Sequence, residues 1–132
     1  MKRRHFLAAA AAAVLAPTFA SAAGFVEYKP GVIQNALKEG KTVFVDYSAT
    51  WCSTCKRQER VINALRSEDG RFDDAMMFVK VDWDTYKNDA VIAGRDIPRR
   101  STLIVLRGED ELGRLVAGTS ETQIKALMEK GL

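Results

Sequence analysis

Histidine and cysteine are scarce in this chain, and their scarcity excludes a good deal of chemistry. Its 132 residues include one histidine, His5, and two cysteines, Cys52 and Cys55. A structural zinc site needs four ligands, usually a second cysteine pair or histidines, so the ligand count is too low for a self-contained one. Two cysteines three positions apart are also a poor staple. A cross-link stabilises by closing a loop, and this loop is too short for much gain. Long apolar runs are missing as well. The stretch from Phe6 to Leu15 is alanine-rich and falls short of the about 20 residues that span a bilayer. Residues 23–132 have no internal repeat, low-complexity tract or interior linker.

That apolar stretch reads as part of an export signal. Lys2-Arg3-Arg4 is a basic start, Phe6 to Leu15 an apolar middle, and Ala20-Ser21-Ala22 a small-residue cleavage site. Residues 1–22 are therefore expected to be a signal peptide cleaved after Ala22, leaving 23–132 as one domain without a membrane anchor. Arg3-Arg4-His5-Phe6-Leu7 also fits the twin-arginine export pattern. The expected destination is a Gram-negative periplasm, where disulfides form and persist. Removing the segment abolishes the net charge. Of 20 basic residues three lie within it, so 17 remain against 17 acidic ones. A neutral domain gives no reason to expect nucleic acid or an anionic membrane as partner.

The two cysteines carry the chemistry. Thr42-Val43-Phe44-Val45-Asp46-Tyr47-Ser48 is apolar enough for a buried strand. Lys56 to Leu65 is a good helix former with no Gly or Pro. Cys52 thus falls where a strand hands over to a helix, where unpaired N–H groups and the helix dipole stabilise a thiolate. Thiol–disulfide exchange needs one thiolate to attack and a second thiol to resolve the mixed disulfide. Cys52, nearer the helix start and more exposed, suits the first role. Cys55, one turn inside, suits the second. The electrons reside in the cysteines, so no cofactor is implied.

Around this centre the pattern predicts an α/β domain. Val32-Ile33 and Ala36-Leu37 give a short amphipathic helix ending at Gly40. Residues 67–74 read as a loop and Met76 to Val81 as a second buried strand. Asn88 to Gly94 is a short helix, and 102–106 and 112–117 form a hairpin around Gly108-Glu109-Asp110. Ser120-Glu121-Thr122-Gln123 is a capping box opening a last helix, with Ile124, Leu127 and Met128 on one face. The expected architecture is a central mixed β-sheet flanked by helices on both sides, with Cys52 at the carboxyl end of a strand.

The segment Val43 to Lys56 resembles the active-site segment of the thioredoxin superfamily: an apolar strand, an Asp six residues before the first Cys, then Trp51-Cys52-Ser53-Thr54-Cys55-Lys56. It is similar in particular to exported bacterial thioredoxin-like domains, including the C-terminal domain of the disulfide-relay reductase DsbD. The resemblance runs from about residue 30 to the end and implies the thioredoxin fold. It implies a redox disulfide between Cys52 and Cys55, and protein disulfides or thiols as substrates. It also implies the reducing direction, with a membrane-bound thiol relay as electron donor. Ser53 and Thr54 replace the family's frequent Gly-Pro. Trp51 matches the family's tryptophan and is expected to shield the dithiol. Lys56 and the two hydroxyls are placed to favour thiolate.

Two charges intrude on the strands. Burial should raise the pKa of Asp46, and the resemblance makes it the general acid/base for Cys55, paired with Lys80 on the next strand. The competing readings are a solvated strand-end Asp46 and a Lys80 that snorkels to the surface. The family also places a cis-proline facing the active site, just before a Thr-apolar strand. Matching that strand to Thr102-Leu103-Ile104-Val105-Leu106 puts Ser101 at the proline's position, with Pro98 three residues earlier as the alternative. A non-proline cis bond costs about 2.5–4 kcal/mol, so the bond before Ser101 is expected to be trans. Arg100, Ser101 and Thr102 then form the substrate-facing loop. Arg99 and Arg100 either add positive charge at the site or are a solvated basic pair. Trp83, Tyr86, Asp82 and Asp84 read as packing and strand-end residues, and Asp82, Asp84 and Asp89 lack the spacing of a calcium loop. A metal-handling module, with copper(I) or a bridged iron–sulfur cluster on the same thiolates, is the competing function.

Overall fold

A computed structural model describes residues 24–132; the signal peptide expected over residues 1–22 lies outside the described residues. Along the chain run β1 (Val26–Glu27), α1 (Val32–Lys38), β2 (Thr42–Ser48), α2 (Ser53–Glu68), α3 (Arg71–Ala75) and β3 (Met76–Asp82). They are followed by α4 (Trp83–Tyr86), α5 (Ala90–Ala93), β4 (Thr102–Arg107), β5 (Asp110–Val116) and α6 (Glu121–Glu129). Among these residues no helix is long and apolar enough to cross a membrane.

The strands form one sheet in the order β1-β3-β2-β4-β5. The β1–β3 and β3–β2 pairs are parallel, and the β2–β4 and β4–β5 pairs antiparallel. β2 is central and all seven of its residues are buried, which explains its near-continuous apolar run: helices cover both faces. Alternation along the strands sorts the core into two halves. Val43, Val45, Tyr47, Val79, Val81, Ile104 and Leu106 pack with Ile33, Ala36, Val91 and Ile92 from α1 and α5. Phe44, Met76, Phe78, Leu103 and Val105 pack with Ile62 and Leu65 of α2 and Ile124, Leu127 and Met128 of α6. The α2 stripe Cys55, Gln58, Ile62 and Leu65 is buried, at the spacing that puts one helix face on a sheet. Ser120 caps α6 by accepting from the Gln123 amide, as the capping box predicts.

Four local readings need correction. The expected loop over 67–74 is the end of α2 followed by α3, whose Phe72 is buried in the core half beneath α2 and α6; that burial anchors a segment whose composition is polar. The strand-end residues after Asp82 form α4, opened by the Asp82 carboxylate accepting from Thr85 N–H. The helix expected over 88–94 is the shorter α5, because Asp89 caps it from outside. β1 was not foreseen, since two exposed residues leave no periodic signal.

Candidate active site

β2 delivers the chain to Cys52 at the N-terminus of α2. Cys52 has extended backbone, φ −86° and ψ 111°, and its sulfur accepts from the Cys55 amide at 3.1 Å, so the residue caps the helix. Its carbonyl accepts from Lys56 N–H at 3.1 Å. Cys52 and Cys55 are joined as a disulfide with Cα atoms 5.3 Å apart. Their exposures are 4% and 0%. Cys52 is the slightly more exposed residue, yet both are buried, so position in the helix separates them more than exposure does.

The residues around the sulfurs differ in part from expectation. The ring packed on the cysteine cluster is that of Trp83. Trp51, expected to shield the pair, is 57% exposed; its indole N–H donates to Asp84 Oδ2 at 2.8 Å and the Arg100 guanidinium lies 4.3 Å from its ring centre. Local sequence does not show this role for Trp83, because its place over the cysteines depends on how α4 follows β3. Lys56 is exposed and lines a cavity of about 340 Å³ with Glu59, Lys80, Ser48 and Asp82. The polar groups that reach sulfur are the Cys55 amide and the Ser101 hydroxyl.

Asp46 is fully buried, and among the described residues neither carboxylate oxygen has a hydrogen-bond partner. Two residues from Phe44 in β2, it points to the same face, the one that α2 covers. The solvated strand-end reading is therefore excluded. Burial lifts its pKa to about 7; the positive charge of Lys80 opposes the rise and the negative charge of Glu59 assists it. Asp46 and Lys80 are register partners across β2 and β3. The expected Asp46–Lys80 pair nevertheless does not close, because Lys80 Nζ donates to Glu59 Oε1 at 2.9 Å. Glu59 was missed by sequence reasoning. Its signal was available: it follows Cys55 by four positions, on the same face of α2.

The loop before β4 completes the site. Of the two positions weighed, Ser101 meets the cysteines, while Pro98 is exposed. Ser101 Oγ lies 3.2 Å from Cys52 Sγ and 3.1 Å from Cys55 Sγ. The residue is fully buried, its preceding peptide is trans, and its φ is 65°. Three hydrogen bonds hold this left-handed backbone: Ser101 N–H to Tyr47 O, Ala117 N–H to Ser101 O, and Gln58 Nε2 to Ser101 O. Gln58 also donates to Gly118 O at 2.9 Å; it is a second residue that sequence reading missed, one turn beyond Cys55. Thr102 Oγ1 donates to Arg99 O at 2.7 Å and is buried, so within the expected substrate-facing loop Thr102 fastens the turn and Arg100 lies over Trp51.

The thioredoxin family profile matches residues 26–130. The chain is 30% identical over 97 residues to thioredoxin of Echinococcus granulosus, covering 74% of this chain and 84% of that one. It is 33% identical over 87 residues to thioredoxin H2-1 of Oryza sativa subsp. japonica, covering 66% of this chain and 59% of the rice protein. Among solved structures, Trxlp from Edwardsiella tarda EIB202 superposes with a TM-score of 0.66 at 33% identity, covering 76% of this chain and 96% of the other. Reduced thioredoxin pre-protein of Schistosoma mansoni superposes with a TM-score of 0.65 at 27% identity, covering 83% and 99%.

Proposed function

The chain belongs to the thioredoxin family and is a thiol–disulfide oxidoreductase, and on that premise we propose that it is exported to the periplasm and reduces protein disulfides there. The observation that carries the mechanism is Cys52 capping α2 through the Cys55 amide while Asp46 lies fully buried on the β2 face that α2 covers, where burial lifts its pKa to about 7.

The Cys52 thiolate attacks one sulfur of a substrate disulfide. A Cys52–substrate mixed disulfide forms and the other substrate thiolate leaves. Asp46, on the sheet face under α2, takes the proton of Cys55, and the Cys55 thiolate attacks Cys52 Sγ. The Cys52–Cys55 disulfide forms, the second substrate thiolate departs, and two electrons have passed to the substrate. A membrane-bound thiol relay then returns the disulfide to the dithiol. The reducing direction is supported by the likeness of the Val43–Lys56 segment to reductive exported domains. Export is supported by the basic, apolar and small-residue order of residues 1–22.

An equilibrium redox titration of residues 23–132, read by alkylation and mass, tests this reading. A two-electron transition near or below about −230 mV is expected. One near about −120 mV would make the protein an oxidant. A pair that purifies metal-loaded and never titrates as a dithiol would overturn the exchange mechanism in favour of the metal-handling alternative.

A further inference from the structure

We propose that the Ser101 hydroxyl is a catalytic hydrogen-bond donor to the Cys52 thiolate, relaying a hydrogen bond from the Cys55 thiol in the reduced protein. The inference rests on the exchange reading above and adds a residue to it.

In the disulfide state Ser101 Oγ touches both sulfurs, at 3.2 and 3.1 Å, and among the described residues has no other polar partner. A hydroxyl has one proton to donate and two lone pairs that accept. Reduction adds two electrons and two protons from the external dithiol donor, breaks the S–S bond and leaves two sulfurs beside this oxygen. At neutral pH one proton is lost to solvent from Cys52, the residue at the helix start. The hydroxyl proton then points to the charged sulfur, and Cys55 S–H points to the oxygen. The Cys52 thiolate receives two donors, Ser101 O–H and the Cys55 amide already 3.1 Å from its sulfur. Bonds of this charge-assisted kind are the stronger class.

The backbone supports a purpose for the side chain. At φ 65° glycine is the residue that fits without strain, and proline, locked near −65°, cannot occupy the position. Serine brings to that position only a Cβ and a hydroxyl, and the hydroxyl is spent on the two sulfurs. The carbonyl is tied to Gln58 of α2, the same helix that carries both cysteines. Oxygen and sulfurs are thereby held on one rigid unit.

The test compares the reduced protein with Ser101→Gly, which removes the hydroxyl and the strain, and Ser101→Ala, which removes the hydroxyl and keeps the strain. The pH profile of Cys52 alkylation is measured for each. Both variants should move its midpoint up by about one unit, a tenfold loss of thiolate relative to thiol equivalent to about 1.4 kcal/mol, within the range for a hydrogen bond to a charged group. A more basic thiolate is also more nucleophilic. With a Brønsted slope of about 0.4–0.5, the rate should fall about threefold below the midpoint and rise about threefold above it. A simple loosening of the site would change the rate in one direction throughout. An unmoved midpoint, a one-directional change, or a shift in only one variant overturns the proposal. Failure of the unmodified protein to reduce a protein disulfide would instead overturn the exchange reading, which the same preparations report.

Discussion

Asp46 and Lys80 stand opposite each other in the parallel register of β2 and β3, yet Lys80 gives its hydrogen bond to Glu59 of α2. Asp46 is left fully buried with neither oxygen hydrogen-bonded among the described residues. Lys80 still lowers the pKa of Asp46 through space, but burial outweighs it and the carboxyl titrates at about 7. An ion pair at the same place would have held the carboxylate charged; the diverted lysine leaves it able to exchange a proton at neutral pH.

Stability should therefore fall with rising pH. The folded pKa of Asp46 is raised from 3.8 to about 7, so between these values the folded state holds a proton that the unfolded state releases. Its contribution is full below the unfolded value, is lost as pH rises to the folded value, and changes no further above it. Asp46→Asn escapes this loss. Urea unfolding should show the variant gaining on the unmodified protein by up to about 4 kcal/mol at about pH 8 and by little at about pH 4.

The two charges on either side of that carboxyl should move its titration in opposite directions. Lys80→Met removes the charge that lowers the Asp46 pKa, and Glu59→Gln removes one that raises it. Carboxyl NMR titration should find Asp46 above its present midpoint in the first variant and below it in the second. Equal shifts of one sign would mean that packing, not charge, governs the site.

Cys55→Ser should accumulate mixed disulfides between Cys52 and substrate proteins, visible on non-reducing gels, because nothing remains to resolve them. Cys52→Ser should accumulate none. In Asp46→Asn the resolving step should slow about a hundredfold near neutral pH, the scale of a lost general base, while the first attack by Cys52 is changed far less. Stopped-flow traces that resolve the two phases check both halves.

Gln58→Leu should destabilise the fold by about 2 kcal/mol, since it strips a donor from the buried carbonyl of Ser101 and from that of Gly118. Part of the loss is offset, because Gln58 Oε1, buried without a partner among the described residues, disappears with the change. Denaturant midpoints measure it.

Much of the fold was legible before the structure. β2 was read at its true bounds because seven residues buried on both faces leave an uninterrupted apolar signature. α6 was legible from Ser120 and its capping box, and its buried face from Ile124, Leu127 and Met128. α3 and α4 were not, for both are short single turns whose helical form depends on a cap or one anchoring side chain. Within the site, Cys52, Cys55 and Asp46 were visible as residues out of place in their patterns. Trp83, Gln58 and Glu59 were not, since a tryptophan after a strand, a glutamine and a glutamate on a helix are ordinary.

The sequence by itself determined the strand–cap–helix unit that sets Cys52 at the start of α2, because spacing, propensity and capping act within a few residues. It also determined that Asp46 lies in a strand too apolar to hold a charge cheaply. Only the tertiary structure decided that Lys80 turns to Glu59 and that Ser101, 46 positions from Cys55, brings its hydroxyl to both sulfurs. Those outcomes depend on which way a side chain leaves its strand and on a left-handed turn held by bonds from β2, α2 and the end of β5. No local pattern encodes them, because the groups meet only after the sheet has formed.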